Sequence, residues 1–210
     1  MRKWLKEYSR LLDQPLDGRP RLLLLGTVLL LVPAYLFPLW NMTMFAPQYP
    51  HGLRLHIYSY KLEAGNAGQD LAEINILNHY IGMRDLATSD FTEFKWIPFV
   101  VGIIGLLFLR AAVLGKMTDL VDLLVLYMYI GMFSLWSFGY KLFRYGHDLA
   151  PTASVKVPPF MPPMFGYKQL ANFEVYSYPG PASYFLAAVA VLLLAGVIIH
   201  WRGYRRTSKA

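Results

Sequence analysis

Four long runs of apolar residues, separated by polar stretches, dominate the pattern along the chain. The runs cover residues 22–40, 97–114, 120–142 and 183–201. Each is long enough to cross the ~30 Å hydrocarbon core of a bilayer as an α-helix. Pro33 and Pro38 lie in the outer half of the first run, so we expect that helix to kink or end early. The pattern predicts an all-α integral membrane protein with four transmembrane helices.

The longest stretch between runs, residues 41–96, carries two shorter periodic patterns. Leu53, Leu55 and Ile57 alternate with Arg54, His56 and Tyr58, which is typical of a strand. Residues 70–83 instead repeat with helical spacing. Asp70 with Glu73 three residues later forms a capping box, which predicts that a helix begins there.

The helix predicted over residues 70–83 has two different faces. One face would be buried and carries Leu71, Ile74, Leu77, Asn78 and Ile81. Asn75, His79 and Met83 follow one another at intervals of four, so we expect them to lie along the other face. The helix would therefore present an amide, an imidazole and a thioether together.

The second long stretch, residues 143–182, is rich in proline and aromatic residues. Its Pro-Pro pairs favour extended backbone over helix, and it is too apolar for a disordered linker. We therefore expect an ordered loop packed on residues 41–96. The two stretches together would form a small mixed cap, with helix and strand, on the four transmembrane helices.

The basic residues predict which side of the membrane this cap occupies. Of the 20 Lys and Arg, six precede the first run, two lie at the end of the second and four follow the fourth. The other eight lie in or border the longer stretches 41–96 and 143–182. This distribution follows the positive-inside rule, with both termini cytoplasmic and the cap periplasmic in a bacterial inner membrane. Because the charges flank apolar runs, the net charge of +7 indicates membrane lipid and not nucleic acid as the partner.

The domain organisation follows from the same pattern. Residues 1–21 form a basic cytoplasmic segment, and residues 22–142 hold the first three helices with segment 41–96 between them. The loop 143–182 precedes the fourth helix and the basic tail in residues 183–210. The first segment has two interpretations: an amphipathic stripe on the membrane surface, or a solvated basic tail. The stripe would consist of Trp4, Leu5, Tyr8, Leu11 and Leu12.

The absence of cysteine limits the chemistry available to the cap. It excludes disulfides, thiolate metal sites and a catalytic thiol. Four of the five His and five of the nine Met fall in the cap segments, including a Met42–Met44 pair two residues apart. His and Met without Cys is a ligand set suited to copper, and thioethers favour Cu(I). The alternative is structural, since Met commonly fills gaps in apolar packing.

Other sites that carry chemistry are not indicated. No GxSxG, HExxH or phosphate-binding glycine loop is present, so we do not expect an enzyme. No His lies in the middle of an apolar run, which disfavours a haem held inside a helical bundle.

Four segments of the cap resemble a known group of proteins. They read APQYPHGLRLHIY, EINILNHYIGM, YGHDLAPTASVKVPPFMPP and GYKQLANFEVYSYPG. These segments resemble small four-span membrane proteins associated with bacterial nitrous oxide reductase gene clusters. The resemblance implies an accessory role for a periplasmic copper enzyme, in metal delivery, assembly or electron supply. It implies no particular active-site residue.

Our hypothesis is a membrane-anchored accessory protein that handles copper or docks membrane or periplasmic proteins of a copper-enzyme maturation system. The candidate copper ligands are His79, Met83, His147, Met161 and Met164, and the candidate docking residues are Asn75, Asn78, His79 and Tyr80. Two alternatives stay open. The protein could be a metal-free structural subunit of a membrane respiratory complex, or an electron-transfer component on the quinol side.

The predicted topology can be tested with a reporter fused after Ala210. A protein that fluoresces only in the cytoplasm should light up there, because the charge pattern places this end inside. The matched fusion carries a reporter active only in the periplasm and should be silent. The opposite pair of results would place the His and Met residues of the cap in the cytoplasm.

Overall fold

The structure is a computed structural model that describes residues 8–170 and 172–207; Trp4 and Leu5 of the predicted stripe lie outside the described residues. Four helical stretches in the described chain are long and apolar enough to cross a membrane. The first comprises α1, Gly18–Leu31, and the short α2, Pro33–Leu36. The others are α4, Glu93–Leu114, α5, Met117–His147, and α6, Pro181–Thr207. Four apolar helices, as predicted, are thus confirmed.

The break in the first helix also occurs where it was predicted. Helix α1 ends at Leu31, and the Val32 N–H bonds to the Leu29 carbonyl at 3.3 Å, which tightens the last turn. Pro33 then begins α2, since proline has no N–H to continue the ladder but fits the first position of a helix. The remaining helices extend past the predicted apolar runs into their polar flanks.

The described chain divides into two compact units. Among the described residues, the bundle unit comprises 8–33, 99–132 and 185–207, and the cap unit falls within Ala34–Pro98 and Phe133–Tyr184. The bundle unit has a core of aliphatic side chains around Phe108, which is fully buried. Its other buried members include Leu24, Ile104, Leu120, Val189 and Leu193.

Residues 8–17 are part of the bundle unit's packing. Leu11 and Leu16 are buried in its core, and the Leu16 N–H bonds to the Gly115 carbonyl at 3.2 Å. The Met117 N–H bonds in turn to the Gln14 carbonyl at 2.9 Å. Backbone hydrogen bonds therefore tie the described part of the basic segment to the turn before α5.

A five-stranded antiparallel sheet organises the cap unit, in the order β3-β2-β1-β5-β4. The first cap segment supplies β1, Trp40–Ala46, β2, Tyr49–Ile57, and β3, Leu62–Ala64. The second supplies β4, Gly166–Leu170, and β5, Phe173–Pro179. The strand predicted around residues 53–57 is confirmed as the end of β2. The second segment does pack on the first, but as two paired strands in place of the loop alone that was predicted.

One face of this sheet is apolar and is covered by α3, Gln69–Tyr80. Along β1, Trp40, Met42, Met44 and Ala46 are buried while their neighbours are half-exposed. They pack in one core with Ile74, Leu77 and Ile81 from α3 and the turn after it. Ile74 has no exposed surface, and burying a side chain of that size stabilises a fold by about 1.5–3 kcal/mol. The buried face predicted for this helix is confirmed.

The predicted capping box is wrong. The residue before α3 is Gly68, in the left-handed conformation with φ of 96°, and no side chain caps the helix. Asp70, 2% exposed, instead accepts hydrogen bonds from the Arg54 N–H at 2.8 Å and the Asn66 side-chain amide at 2.6 Å. Glu73 accepts a hydrogen bond from the Tyr49 hydroxyl, which raises the pKa of Tyr49, with burial adding to the effect. Both carboxylates therefore join the helix to β2.

The other end of α3 is closed by a Schellman motif, which joins it to the second cap segment. The Met83 N–H bonds to the Asn78 carbonyl at 2.8 Å and the Gly82 N–H to the His79 carbonyl at 3.1 Å. Gly82 has φ of 80°, and a Cβ there would meet the Ala150 carbonyl oxygen at 2.9 Å. Its own carbonyl accepts the Ala150 N–H at 2.8 Å. Glycine is thus needed both for conformation and for close approach.

Replacing Asp70 by alanine should lower the free energy of unfolding by about 2 kcal/mol, because the Arg54 N–H and the Asn66 side-chain amide would both lose a charged acceptor. The measurement is thermal unfolding of the detergent-solubilised protein. Asp85→Ala is the matched control, since Asp85 is exposed. Equal stability of the two variants would show that the Asp70 carboxylate does not anchor α3.

Candidate functional site in the cap unit

The five predicted copper ligands have different surroundings in the cap unit. His79 is exposed on the last turn of α3, and Met161 is exposed as well. Met83 and Met164 are partly buried and pack against the core under the sheet. His147 is exposed at the end of α5. In the part of the chain that the structure describes, no group of three or more His, Asp and Glu is placed to hold a metal ion.

The side chain of His147 is held in one orientation. Its Nδ1 lies 2.9 Å from the Phe143 carbonyl oxygen, and its ring stacks on that of Phe143 with centroids 3.8 Å apart. Because a carbonyl can only accept, Nδ1 is the donor in this hydrogen bond. Nε2 is then the nitrogen through which His147 could bind a metal.

Met83 does not lie on the helix face predicted for it. Helix α3 ends at Tyr80, and Gly82 reverses the chain before Met83 is reached. The predicted row of Asn75, His79 and Met83 is therefore wrong at its last member. The physical reason is the Schellman motif, which requires a left-handed residue and so stops the helical spacing.

The four predicted docking residues divide into two pairs. Asn75 is half-buried and clamps the backbone of Leu86: its Oδ1 accepts the Leu86 N–H at 2.7 Å and its Nδ2 donates to the Leu86 carbonyl at 3.3 Å. Asn78 is 2% exposed. Only His79 and Tyr80 present their side chains to the surface.

Ile76 completes an exposed apolar patch that the sequence reasoning missed. It is 62% exposed and lies one helical turn before Tyr80, which is 55% exposed. Residues four apart on a helix are neighbours on its surface. We call Ile76, His79 and Tyr80 the α3 patch. The sequence did contain a signal for the exposure of Ile76. It lies two residues after Ile74, which was predicted to be buried, and is therefore on the opposite side of the helix.

A small apolar cavity of about 50 Å³ lies inside the cap unit. Side chains from the sheet, α3, the following turn and α5 line it, among them Met42, Met44 and Met83. Three methionines are therefore among the side chains that line one cavity. The Met42–Met44 pair was visible in the sequence, but its convergence with Met83 depends on how the turn after α3 meets the sheet.

Polar groups at this cavity are few. The Asn78 side-chain amide nitrogen is buried and has no hydrogen-bond partner among the described residues. The Tyr145 hydroxyl is also buried and interacts with the Asp90 carboxylate. Lys141 also lines the cavity, but its ammonium is 2.7 Å from the Glu93 carboxylate and 2.7 Å from the Asp90 carbonyl oxygen. The lining holds no carboxylate. It offers thioethers and the unpaired Asn78 amide in a mainly apolar setting.

Comparisons with protein-family models and with curated proteins find no match to this chain.

Substitutions on α3 should separate its structural positions from its exposed ones. Ile74→Asp should prevent folding of the cap unit, because it buries a charge without a partner. Asn75→Ala should cost about 1–2 kcal/mol, since the partly buried backbone groups of Leu86 lose both hydrogen bonds to the amide. Tyr80→Phe, the control, should be neutral, and thermal unfolding in detergent would rank the three. Full stability of Asn75→Ala would mean that the clamp contributes nothing.

Proposed function

We propose that the protein is a membrane-anchored accessory protein for a periplasmic copper enzyme. Its cap unit would dock a periplasmic protein that matures or supports that enzyme. The observation that carries the docking proposal is the α3 patch, with Ile76 and Tyr80 exposed side by side. The copper enzyme itself, nitrous oxide reductase, enters through the resemblance of the cap segments.

An exposed isoleucine beside an exposed tyrosine is a favourable start for a protein interface. Removing the apolar surface of Ile76 from water favours binding, and tyrosine adds a large rigid surface with one polar end. Such residues are common among those that dominate the energy of binding. The imidazole of His79 adds a group that can donate or accept a hydrogen bond beside them.

The α3 patch lies on a helix that hydrogen bonds hold at both ends. Asp70 fixes the start of the helix on β2, and the Schellman motif at Gly82 fixes its end. Between them, Asn75 holds the backbone of Leu86. A preorganised surface loses little conformational entropy on binding, so more of the contact energy appears as affinity.

The side of the membrane follows from the charge pattern. The positive-inside rule predicts that residues 41–96 and 143–182 are periplasmic, where a soluble copper enzyme and its maturation proteins would meet the α3 patch. A bacterial inner membrane is the location we propose.

A photo-crosslinking residue at position 80 tests the proposal in cells that produce the reductase. We expect a crosslink to a periplasmic protein of the copper-enzyme system, and the same probe at position 60 should give none. Tyr60 is a suitable control because it is also an exposed tyrosine of the cap unit, at 42%.

The double variant Ile76→Ser with Tyr80→Ala should lower nitrous oxide reductase activity in cells several-fold, while Tyr60→Ala should not. The level of the membrane protein must be equal in all strains. Unchanged activity with no crosslink would overturn the docking proposal. Crosslinks only to membrane respiratory subunits would favour the structural-subunit alternative.

A further inference from the structure

We infer that the cavity in the cap unit is a Cu(I) site whose ligands are the thioethers of Met42, Met44 and Met83. This inference deepens the proposed function by naming a metal and its ligands, and it rests on that function only for its role in the cell. It replaces the ligand set predicted from sequence, which combined Met83 with His79, His147, Met161 and Met164.

The strand geometry brings the first two thioethers together. Met42 and Met44 are two residues apart on β1 and both face the buried side of the sheet. Their Cβ atoms are separated by two residue rises, about 7 Å. A methionine side chain is long and unbranched, so sulfurs from two such positions can reach one ion between them.

The third thioether comes from a different segment and is held by the turn after α3. The Met83 N–H bonds to the Asn78 carbonyl at 2.8 Å, which fixes the backbone beside the cavity. Met83 is half-buried and lines the same space as the other two. It is therefore the ligand that an arriving ion would meet from the surface.

The surroundings select for a soft monovalent ion. Thioethers bind Cu(I), whereas Zn²⁺, Mg²⁺ and Ca²⁺ need imidazole, thiolate or oxygen ligands. The lining offers no carboxylate, and the only ammonium, that of Lys141, is paired with Glu93. A divalent ion would thus be buried without compensating charge, at a high cost in desolvation.

The cavity size is consistent with one ion and not with an organic cofactor. A volume of about 50 Å³ leaves room for a metal ion among the sulfurs, whereas pockets for organic ligands measure about 300–1,000 Å³.

The test is a competition between the full-length protein in detergent and a chromogenic Cu(I) chelator, under reducing and oxygen-free conditions. We expect one Cu(I) per chain. Met42→Leu, Met44→Leu and Met83→Leu should each weaken Cu(I) binding about tenfold or more, and the triple variant should weaken it at least about 100-fold. Removing a group that merely supports a metal ligand already lowers metal affinity about 10–100-fold, so removing the ligands themselves should cost at least as much. Leucine keeps the volume of methionine and changes core stability little.

The matched control removes the other ligands predicted from sequence: His79→Ala, His147→Ala, Met161→Leu and Met164→Leu combined. This variant should keep the wild-type affinity for Cu(I). X-ray absorption at the copper edge should show sulfur and no nitrogen neighbours. Copper should also raise the unfolding temperature of the wild type and of the control, but not of the triple variant.

Two results would overturn the inference: equal Cu(I) affinity in the wild type and the triple leucine variant, or loss of binding in the control. If the triple variant does not fold, the single Met83→Leu variant and the absorption spectrum decide. Both measurements use purified protein, so they can fail while the crosslink at position 80 persists, and the reverse.

Discussion

The cap unit depends on the burial of one face of a single-layer sheet. A five-stranded sheet with Met42, Met44, Leu55 and Val175 on one side has to cover that side, and α3 does so with Ile74, Leu77 and Ile81. Each of these side chains contributes about 1.5–3 kcal/mol when it leaves water. A helix of 12 residues would be marginal on its own, so this contact is what makes α3 a helix.

The same contact decides which polar groups of α3 remain available to a partner. The carboxylates of Asp70 and Glu73 are used to hold the helix on β2, and the amide of Asn75 holds Leu86. Asn78 faces the interior. Gln69 and the α3 patch remain outside, and a cavity lined in part by thioethers remains inside. Function in this unit is therefore expected at two places that share one helix.

The features that the sequence predicted correctly are those set by neighbouring residues. The apolar runs, the break at Pro33 and the alternation at Leu53 and Leu55 all follow from local periodicity or from proline geometry. The predicted capping box does not form although its residues are present. Gly68 is the residue before the helix, and the Asp70 carboxylate accepts a hydrogen bond from the Arg54 N–H instead. A hydrogen bond between distant parts of the chain therefore took precedence over the local capping motif.

Other features could not be derived because they depend on distant pairing. Met42 pairs with Ser177 across β1 and β5, more than a hundred residues apart in the chain, and no periodicity marks that partnership. The place of Met83 depends similarly on Gly82, whose left-handed conformation directs the chain toward Ala150. Glycine commonly ends a helix, so Gly82 in the sequence already indicated that Met83 lies beyond the helical row.

The two proposed sites are connected by a short physical path. The carbonyl of Asn78 holds the backbone of Met83, the side chain of Asn78 lines the cavity, and the next two residues, His79 and Tyr80, belong to the α3 patch. An ion bound to the Met83 thioether would stabilise this turn. If a partner binds the α3 patch in that stabilised conformation, the ion strengthens partner binding. The partner then strengthens ion binding by the same free energy, since coupling between two binding sites is reciprocal. An accessory protein that releases copper needs the opposite sign. For release, the partner would have to displace Met83, the least buried of the three ligands and the one carried by a turn and not a strand.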